Sequence, residues 1–201
     1  MRPVRRRRRP AEPVIGLFGG SFDPIHHGHL LAAQAALEGL GLDQLRFVPA
    51  RRQPFKSGGH GASGDDRAAM IEAAIAEEPR FALERCELNR PGPSYTVDTL
   101  RQLRAREPGA AFVLLVGSDA AAELPKWHEA EVIPELARVV VFARGGDPAG
   151  VEPGVVRVPA IGISATEIRR RVREGRSIRW WVPAPVADYI AARRLYLDGE
   201  G

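Results

Sequence analysis

Apolar positions along this chain fall into two patterns: short continuous runs, and stretches spaced like one face of a helix. Residues 14–18, Val-Ile-Gly-Leu-Phe, are apolar throughout and end in Gly19-Gly20, as expected of a strand covered on both faces that must then turn sharply. From His29 onward Leu30, Ala33, Leu37 and Leu40 recur at helical spacing, with Gly39 and Gly41 at the end; this predicts an amphipathic helix. Residues 45–48, closed by Pro49, predict a second strand, and 65–76 a helix. A short strand follows over 81–83, then a helix over 96–106 with Val97, Leu100 and Leu103 on one side. Residues 112–116, 139–142 and 155–158 predict three more strands, and helices are expected from Ser164 and over about 185–194. Strands alternating with helices, several of them apolar throughout, predict an α/β fold with a doubly wound parallel sheet covered by helices on both faces.

Length and charge narrow the picture. At 201 residues and 44% hydrophobic the chain can bury one full core, so a single domain over 13–198 is expected. No apolar run approaches the roughly 20 residues needed to cross a bilayer, and the first residues are charged; a soluble, cytoplasmic protein is the expectation. Cys86 is the only cysteine, so no internal disulfide can form, and no Cys/His cluster has zinc spacing. The pI near 9.8 suggests a nucleic-acid partner, but six of the first nine residues are arginine and account for more than the whole formal charge of +4. The rest of the chain carries 4 − 6 = −2. Residues 1–12 are therefore read as a disordered arginine-rich tail, with no nucleic-acid partner expected. The Gly/Ser/His stretch over 57–64 is the candidate mobile loop.

The chemistry concentrates where the first strand turns into the first helix, in Gly19-Gly-Ser-Phe-Asp-Pro-Ile-His-His-Gly-His29. A parallel sheet places ligands at the carboxyl ends of its strands, and a helix start offers N–H groups and a positive dipole end to phosphate. His26 and His29 stand three residues apart, so at a helix start they can face one side and donate to phosphate oxygens. The histidines could instead hold a metal, but no nearby Cys or Glu completes a ligand set, and no metal ligand is assigned. Further on, Ser164-x-x-Glu167 has the form of a capping box; a helix start capped in this way still offers N–H groups, the Thr166 hydroxyl and the Arg169 guanidinium to a polyphosphate. Arg170, Arg171 and Arg173 are read as solvated, and Trp180 and Trp181 as packing residues.

His26-His-Gly-His29 following Gly-Gly-Ser-Phe-Asp-Pro resembles the H-x-G-H signature of the nucleotidylyltransferase superfamily, and Ile163-Ser-Ala-Thr-Glu-Ile-Arg169 resembles its I-S-S-T-x-I-R segment, with Ala165 in place of the second serine. The residues from Pro49 to Lys56, together with Pro93-Ser-Tyr-Thr96, Gly117-Ser-Asp119 and Leu124-Pro-Lys-Trp127, are similar in order and approximate spacing to bacterial nicotinate-nucleotide adenylyltransferases. The resemblance covers nearly the whole chain beyond the tail. It implies a Rossmann-like nucleotidyltransferase domain that moves AMP from ATP to nicotinate mononucleotide, giving nicotinate adenine dinucleotide and pyrophosphate in NAD biosynthesis.

The same resemblance implies roles. Gly19, Gly20, Ser21, Phe22, His26, His29, Ser164, Thr166 and Arg169 would bind ATP, with His26, His29 and Arg169 acting on its phosphates. Lys56, Tyr95, Thr96, Gly117, Asp119 and Trp127 would receive the mononucleotide, Trp127 stacking on the pyridine ring and Asp119 holding a ribose hydroxyl. Magnesium is implied as a companion of ATP and pyrophosphate, and a homo-oligomer is left open. The competing readings are adenylylation of nicotinamide mononucleotide or of both pyridine nucleotides, and a non-catalytic nucleotide-binding regulator.

Overall fold

A computed structural model describes residues 12–52, 61–144, 155–158 and 161–197. The chain runs β1 (Val14–Gly20), α1 (His27–Gly39), β2 (Gln44–Pro49), α2 (Gly64–Ile75), β3 (Phe81–Leu83), α3 (Cys86–Asn89), α4 (Thr96–Arg106) and β4 (Ala111–Gly117). It continues through α5 (Ser118–Glu123), α6 (Ile133–Leu136), β5 (Arg138–Arg144), β6 (Val155–Val158), α7 (Ala165–Arg173) and α8 (Ala184–Ala192). Among the described residues the strands form one six-stranded sheet in the order β3-β2-β1-β4-β5-β6, every neighbouring pair parallel. That is the order of the doubly wound Rossmann-like sheet, whose direction of winding reverses between β1 and β4.

The apolar runs follow from burial on both faces. Along β4, Phe112, Leu114 and Val116 pack in one layer with Val97, Leu100 and Leu103 of α4 and Ile133 of α6. The alternate residues Val113 and Leu115 enter the opposite layer with Ala33 and Leu37 of α1, Met70 and Ile71 of α2, and Val186 and Ile190 of α8. Successive strand side chains point to opposite faces, so neither face leaves room for a polar residue. Burying one such Leu or Phe side chain stabilises by about 1.5–3 kcal/mol, which makes the two layers the main source of stability. Among the described residues no helix is long and apolar enough to cross a membrane.

The sequence expectations hold for every strand, with differences at helix ends. The first helix begins at His27 rather than His29, and the last spans Ala184–Ala192. The short helices α3, α5 and α6 have no counterpart among those expectations. Trp181 packs partly buried against the first α1-side layer, but Trp180 is not a packing residue: it is 78% exposed, with the Arg179 guanidinium 5.0 Å above its ring. Residues 1–11 of the expected tail, Lys56, and residues 57–60 of the expected mobile loop lie outside the described residues.

Candidate active site

The switch point between β1 and β4 carries the site. Phe18 stands opposite Leu115 in the last pair between the two strands. Beyond it Gly19-Gly20 and Val116-Gly117 are no longer paired with each other, and the doubly wound fold places its crevice at such diverging strand ends. After Gly20 the chain passes through Ser21, Phe22 and Asp23 into α1. A Cβ on Gly20 would lie 3.0 Å from the Phe22 ring, so glycine lets the turn close over that ring. Phe22 itself adopts a left-handed conformation, φ 49°, uncommon for a bulky residue and the mark of a turn held by its surroundings.

His26 occupies the N-cap of α1 in extended backbone and His29 lies one turn inside. Their rings stack with centroids 3.7 Å apart, so the structure brings the two histidines to one side of the helix start. The His26 backbone N–H donates to His29 Nδ1 at 3.2 Å. A neutral imidazole accepts at one nitrogen and donates from the other, so this bond places the His29 proton on Nε2. Phe22 supports the His29 ring edge-on at 5.0 Å. Gly28 leaves room for the stack: a Cβ there would lie 3.1 Å from His26 Cε1 and Nδ1, so the His26 ring would have to give by a few tenths of an ångström. The same Cβ would stand 3.9 Å from the Ile163 carbonyl oxygen, so the segment entering α7 runs beside the first turn of α1, and the two signature segments meet although they are far apart in sequence.

Helix α7 starts behind Ser164, whose Oγ accepts from the Glu167 N–H at 3.2 Å. The cap is one-sided, because the Glu167 carboxylate bonds the Arg170 guanidinium instead. Ser164 and Thr166 are exposed. One turn inside, Arg169 Nη1 donates to the Asp23 carbonyl at 2.8 Å, tying α7 to the glycine turn. Arg169 also lines a cleft with Gly61, Arg173, Arg194 and Tyr196; Arg173 is exposed there, as expected of a solvated residue. Arg170 is exposed and paired with Glu167 and Glu174, and Arg171 donates to the Ser177 carbonyl.

Three residues not assigned from sequence hold the turn from behind. The Asp23 carboxylate, 4% exposed, accepts from the Gly61 N–H at 2.7 Å, the Ala62 N–H at 3.1 Å and the Tyr196 hydroxyl at 2.7 Å. Arg67 Nη1 donates to the Ser21 carbonyl at 2.7 Å. Burial pushes the Tyr196 hydroxyl above the usual phenol range and the Asp23 charge adds to this, so the hydroxyl stays protonated and donates. Arg67 and Arg169 contribute two positive charges against the one negative charge of Asp23, leaving a net positive balance behind the turn that favours an anion in front of it. Asp23 lies inside the recognised motif; Arg67 and Tyr196 reach it only through the fold.

Across the crevice, Gly117 ends β4 and caps α5 in extended backbone, with Asp119 exposed in the first turn. Thr96 is the first residue of α4 and Tyr95 its N-cap. Trp127 follows a 3-10 turn over Leu124–Lys126 and is partly buried, packing with Tyr95 and Leu124 against the second layer. His128, unassigned from sequence, lies with its ring 4.5 Å from that of Tyr95. The Ser94 N–H donates to the Arg52 carbonyl and Ser94 Oγ accepts from the Arg51 N–H, joining the segment after β2 to the start of α4. This set belongs to the layer opposite α1, so the two groups of candidate residues flank the strand ends from the two faces of the sheet. Cys86 offers no nucleophile: burial pushes its thiol up to about 12, leaving it protonated at neutral pH.

A cytidylyltransferase-like family model matches residues 17–171, a span that includes both signature segments. A protein of Thermus thermophilus named "Probable nicotinate-nucleotide adenylyltransferase" is 51% identical over 185 residues, covering 90% of this chain and 98% of that protein. One of the same name from a Synechococcus species is 40% identical over 201 residues, covering 94% and 97%. Among solved structures, the Plasmodium falciparum nicotinic acid mononucleotide adenylyltransferase complexed with NaAD superposes with a TM-score of 0.72 at 22% identity, covering 92% of this chain and 97% of that one; at that identity it attests the fold. Matched by the family model over most of its length and half-identical to such a relative across nine-tenths of it, the chain belongs to the cytidylyltransferase-like family, among the nicotinate-nucleotide adenylyltransferases.

Proposed function

We propose that this protein transfers AMP from ATP to nicotinate mononucleotide, releasing pyrophosphate. The observation that carries the reading is the stacked His26–His29 pair at the start of α1, 3.7 Å between ring centroids, on the same turn to which Arg169 is tied through the Asp23 carbonyl. Relatives named for this activity span nearly the full chain, which supports the choice of acceptor.

The reaction forms a bond from a phosphate oxygen of the mononucleotide to the α-phosphorus of ATP and breaks the bond from that phosphorus to the bridging oxygen of the pyrophosphate. The attacking oxygen is already ionised at neutral pH, so neither a protein nucleophile nor a general base is needed. Two anions must be brought together, and the extra charge must be stabilised as it develops. His29 donates from Nε2 and His26 stands beside it at the α- and β-phosphates, joined by the backbone N–H groups of Ser21 and Phe22. Gly19 and Gly20 allow the phosphates close approach. Arg169, with Thr166 and the capped helix start at Ser164, takes the outer phosphates where pyrophosphate departs.

On the acceptor side Trp127 stacks on the pyridine, with Tyr95 and Thr96 at the nicotinate end, Asp119 and Gly117 at the ribose, and Lys56 at the phosphate. The residues present fit magnesium carried by the triphosphate rather than by a protein cage. Asp23 is already engaged by three donors, and among the described residues no group of three or more His, Cys, Asp or Glu side chains is arranged for a metal. Bound through phosphate and water oxygens, magnesium would neutralise charge on the departing pyrophosphate.

Incubating the purified protein with ATP, Mg²⁺ and nicotinate mononucleotide tests the reaction: one pyrophosphate should appear for each dinucleotide formed, and ATP hydrolysis to AMP without dinucleotide would refute transfer. Trp127→Ala tests the acceptor side. Stacking of a ring on an aromatic side chain contributes about 1–3 kcal/mol, so the KM for the mononucleotide should rise roughly 5- to 150-fold while that for ATP changes little. Equal rises in both would remove Trp127 from the pyridine site.

A further inference from the structure

We propose that Arg67, which lies behind the phosphate-binding turn, is a positioning residue that aims the Phe22 N–H into the crevice by holding the Ser21 carbonyl; this rests on the adenylyl-transfer reading above. In a trans peptide the carbonyl and the following N–H point to opposite sides of the chain, and Ser21–Phe22 is not the cis bond of this turn, which joins Asp23 to Pro24. Arg67 is 1% exposed and its Nη1 donates to the Ser21 carbonyl at 2.7 Å from the buried side. Anchoring that oxygen inward turns the Phe22 N–H outward, beside the histidine pair. The left-handed backbone at Phe22, φ 49°, is a conformation that the chain abandons unless something holds it. Further along the turn, Arg169 holds the Asp23 carbonyl, which belongs to the Asp23–Pro24 peptide, at 2.8 Å, so guanidinium groups hold the chain both before and after Phe22.

The way Arg67 is buried sets it apart from a packing residue. Its Nε is buried without a hydrogen-bond partner, and burial works against its charge. Asp23 offsets part of that cost, but its carboxylate also serves Gly61, Ala62 and Tyr196. A buried ionic group is weak evidence for stability, because replacing a whole buried pair by well-packed apolar residues is often neutral or stabilising, whereas removing one member strands the other. A fold that needed only bulk at this position would be served by methionine. A guanidinium adds a donor for the Ser21 carbonyl and positive charge under an anion.

The two roles separate in Arg67→Met and Arg67→Lys, each compared with the wild-type protein for kcat, both KM values and unfolding midpoint. Loss of aim acts on charge that develops in the transition state, so R67M should lose about 10- to 100-fold in kcat, up to the full effect of removing one preorganised donor. Both KM values should stay within about threefold, whereas the unfolding midpoint of R67M should fall, because the Ser21 carbonyl loses its donor and Asp23 a counter-charge; kcat is therefore compared at a temperature where both proteins are folded. R67K, which keeps a charged donor, should recover most of the rate. An R67M kcat within about twofold of wild type, or an equal loss in R67K and R67M, would overturn the assignment. If R67M does not fold, R67K and R67Q decide: a rate kept by lysine and lost by glutamine supports positioning, and any other pairing overturns it. A wild-type protein that transfers no AMP ends the underlying reading too, whereas active wild type with equally active variants removes only the role of Arg67.

Discussion

Replacing His29 with alanine lowers kcat about 10²- to 10³-fold, the loss typical of one preorganised donor to developing charge. The direction follows from the tautomer. His29 Nδ1 is occupied by the His26 backbone N–H, so the proton sits on Nε2, and the stack with His26 and the edge contact with Phe22 fix the ring in place. Such a donor needs no reorganisation when charge builds on the α-phosphate. Stability should suffer much less: the substitution removes one hydrogen-bond acceptor from a partly exposed helix start, worth about 1 kcal/mol. Single-turnover AMP transfer and thermal unfolding, measured on the same preparation, separate the two effects. A transfer rate within a few-fold of wild type would mean that His29 does not act on the phosphates.

Asp23→Ala has its largest effect on the fold instead. The carboxylate gathers two backbone N–H groups near the start of α2 and the Tyr196 hydroxyl from the end of the chain, and Arg169 Nη1 lies 3.9 Å from Oδ2. Removing the carboxylate leaves buried donors unpaired and leaves Arg67 without its nearby counter-charge. Breaking a buried pair in this way destabilises by about 3–5 kcal/mol, which should lower the unfolding midpoint by roughly 6–20 °C for a domain of this size. Asp23→Asn keeps an acceptor and should lie between. A destabilisation below about 1 kcal/mol in Asp23→Ala, measured by urea unfolding, would show that the hub is dispensable.

The strands were legible in the sequence because those buried on both faces carry no polar residue: 14–18 and 112–116 read as continuous apolar runs, and the helices between them show a 3.6-residue period. The start of α1 reads two residues late because its N-cap is His26, whereas the usual signals are Ser, Thr, Asp and Asn. Helices of four to six residues, such as α5 and α6, are too short to establish a period, so the stretch between β4 and β5 reads as irregular. Trp180 is assigned to packing from its residue type and its neighbours; yet adjacent positions in the turn before α8 point to different sides, and only Trp181 faces the core.

The histidine pair and the Ser164 helix start were legible because their chemistry is local: a glycine turn, two imidazoles three apart, a serine before a helix. What supports them was not. Arg67 reaches Ser21 across 46 residues and Tyr196 reaches Asp23 across 173. In sequence Arg67 follows two aspartates at a helix start, which looks like a solvated position. Its burial arises only because α2 and the C-terminal segment converge on the back of the turn.

The most direct test of the central claim is to compare kcat/KM for nicotinate mononucleotide, nicotinamide mononucleotide and phosphopantetheine, each with ATP and Mg²⁺, by pyrophosphate release from the purified protein. Nicotinate mononucleotide should give clearly the highest value. Preference for another acceptor would contradict the assignment of Tyr95, Thr96 and Trp127 to the nicotinate end while leaving the phosphate chemistry of His26, His29 and Arg169 in place, and no release with any acceptor would contradict the transfer itself.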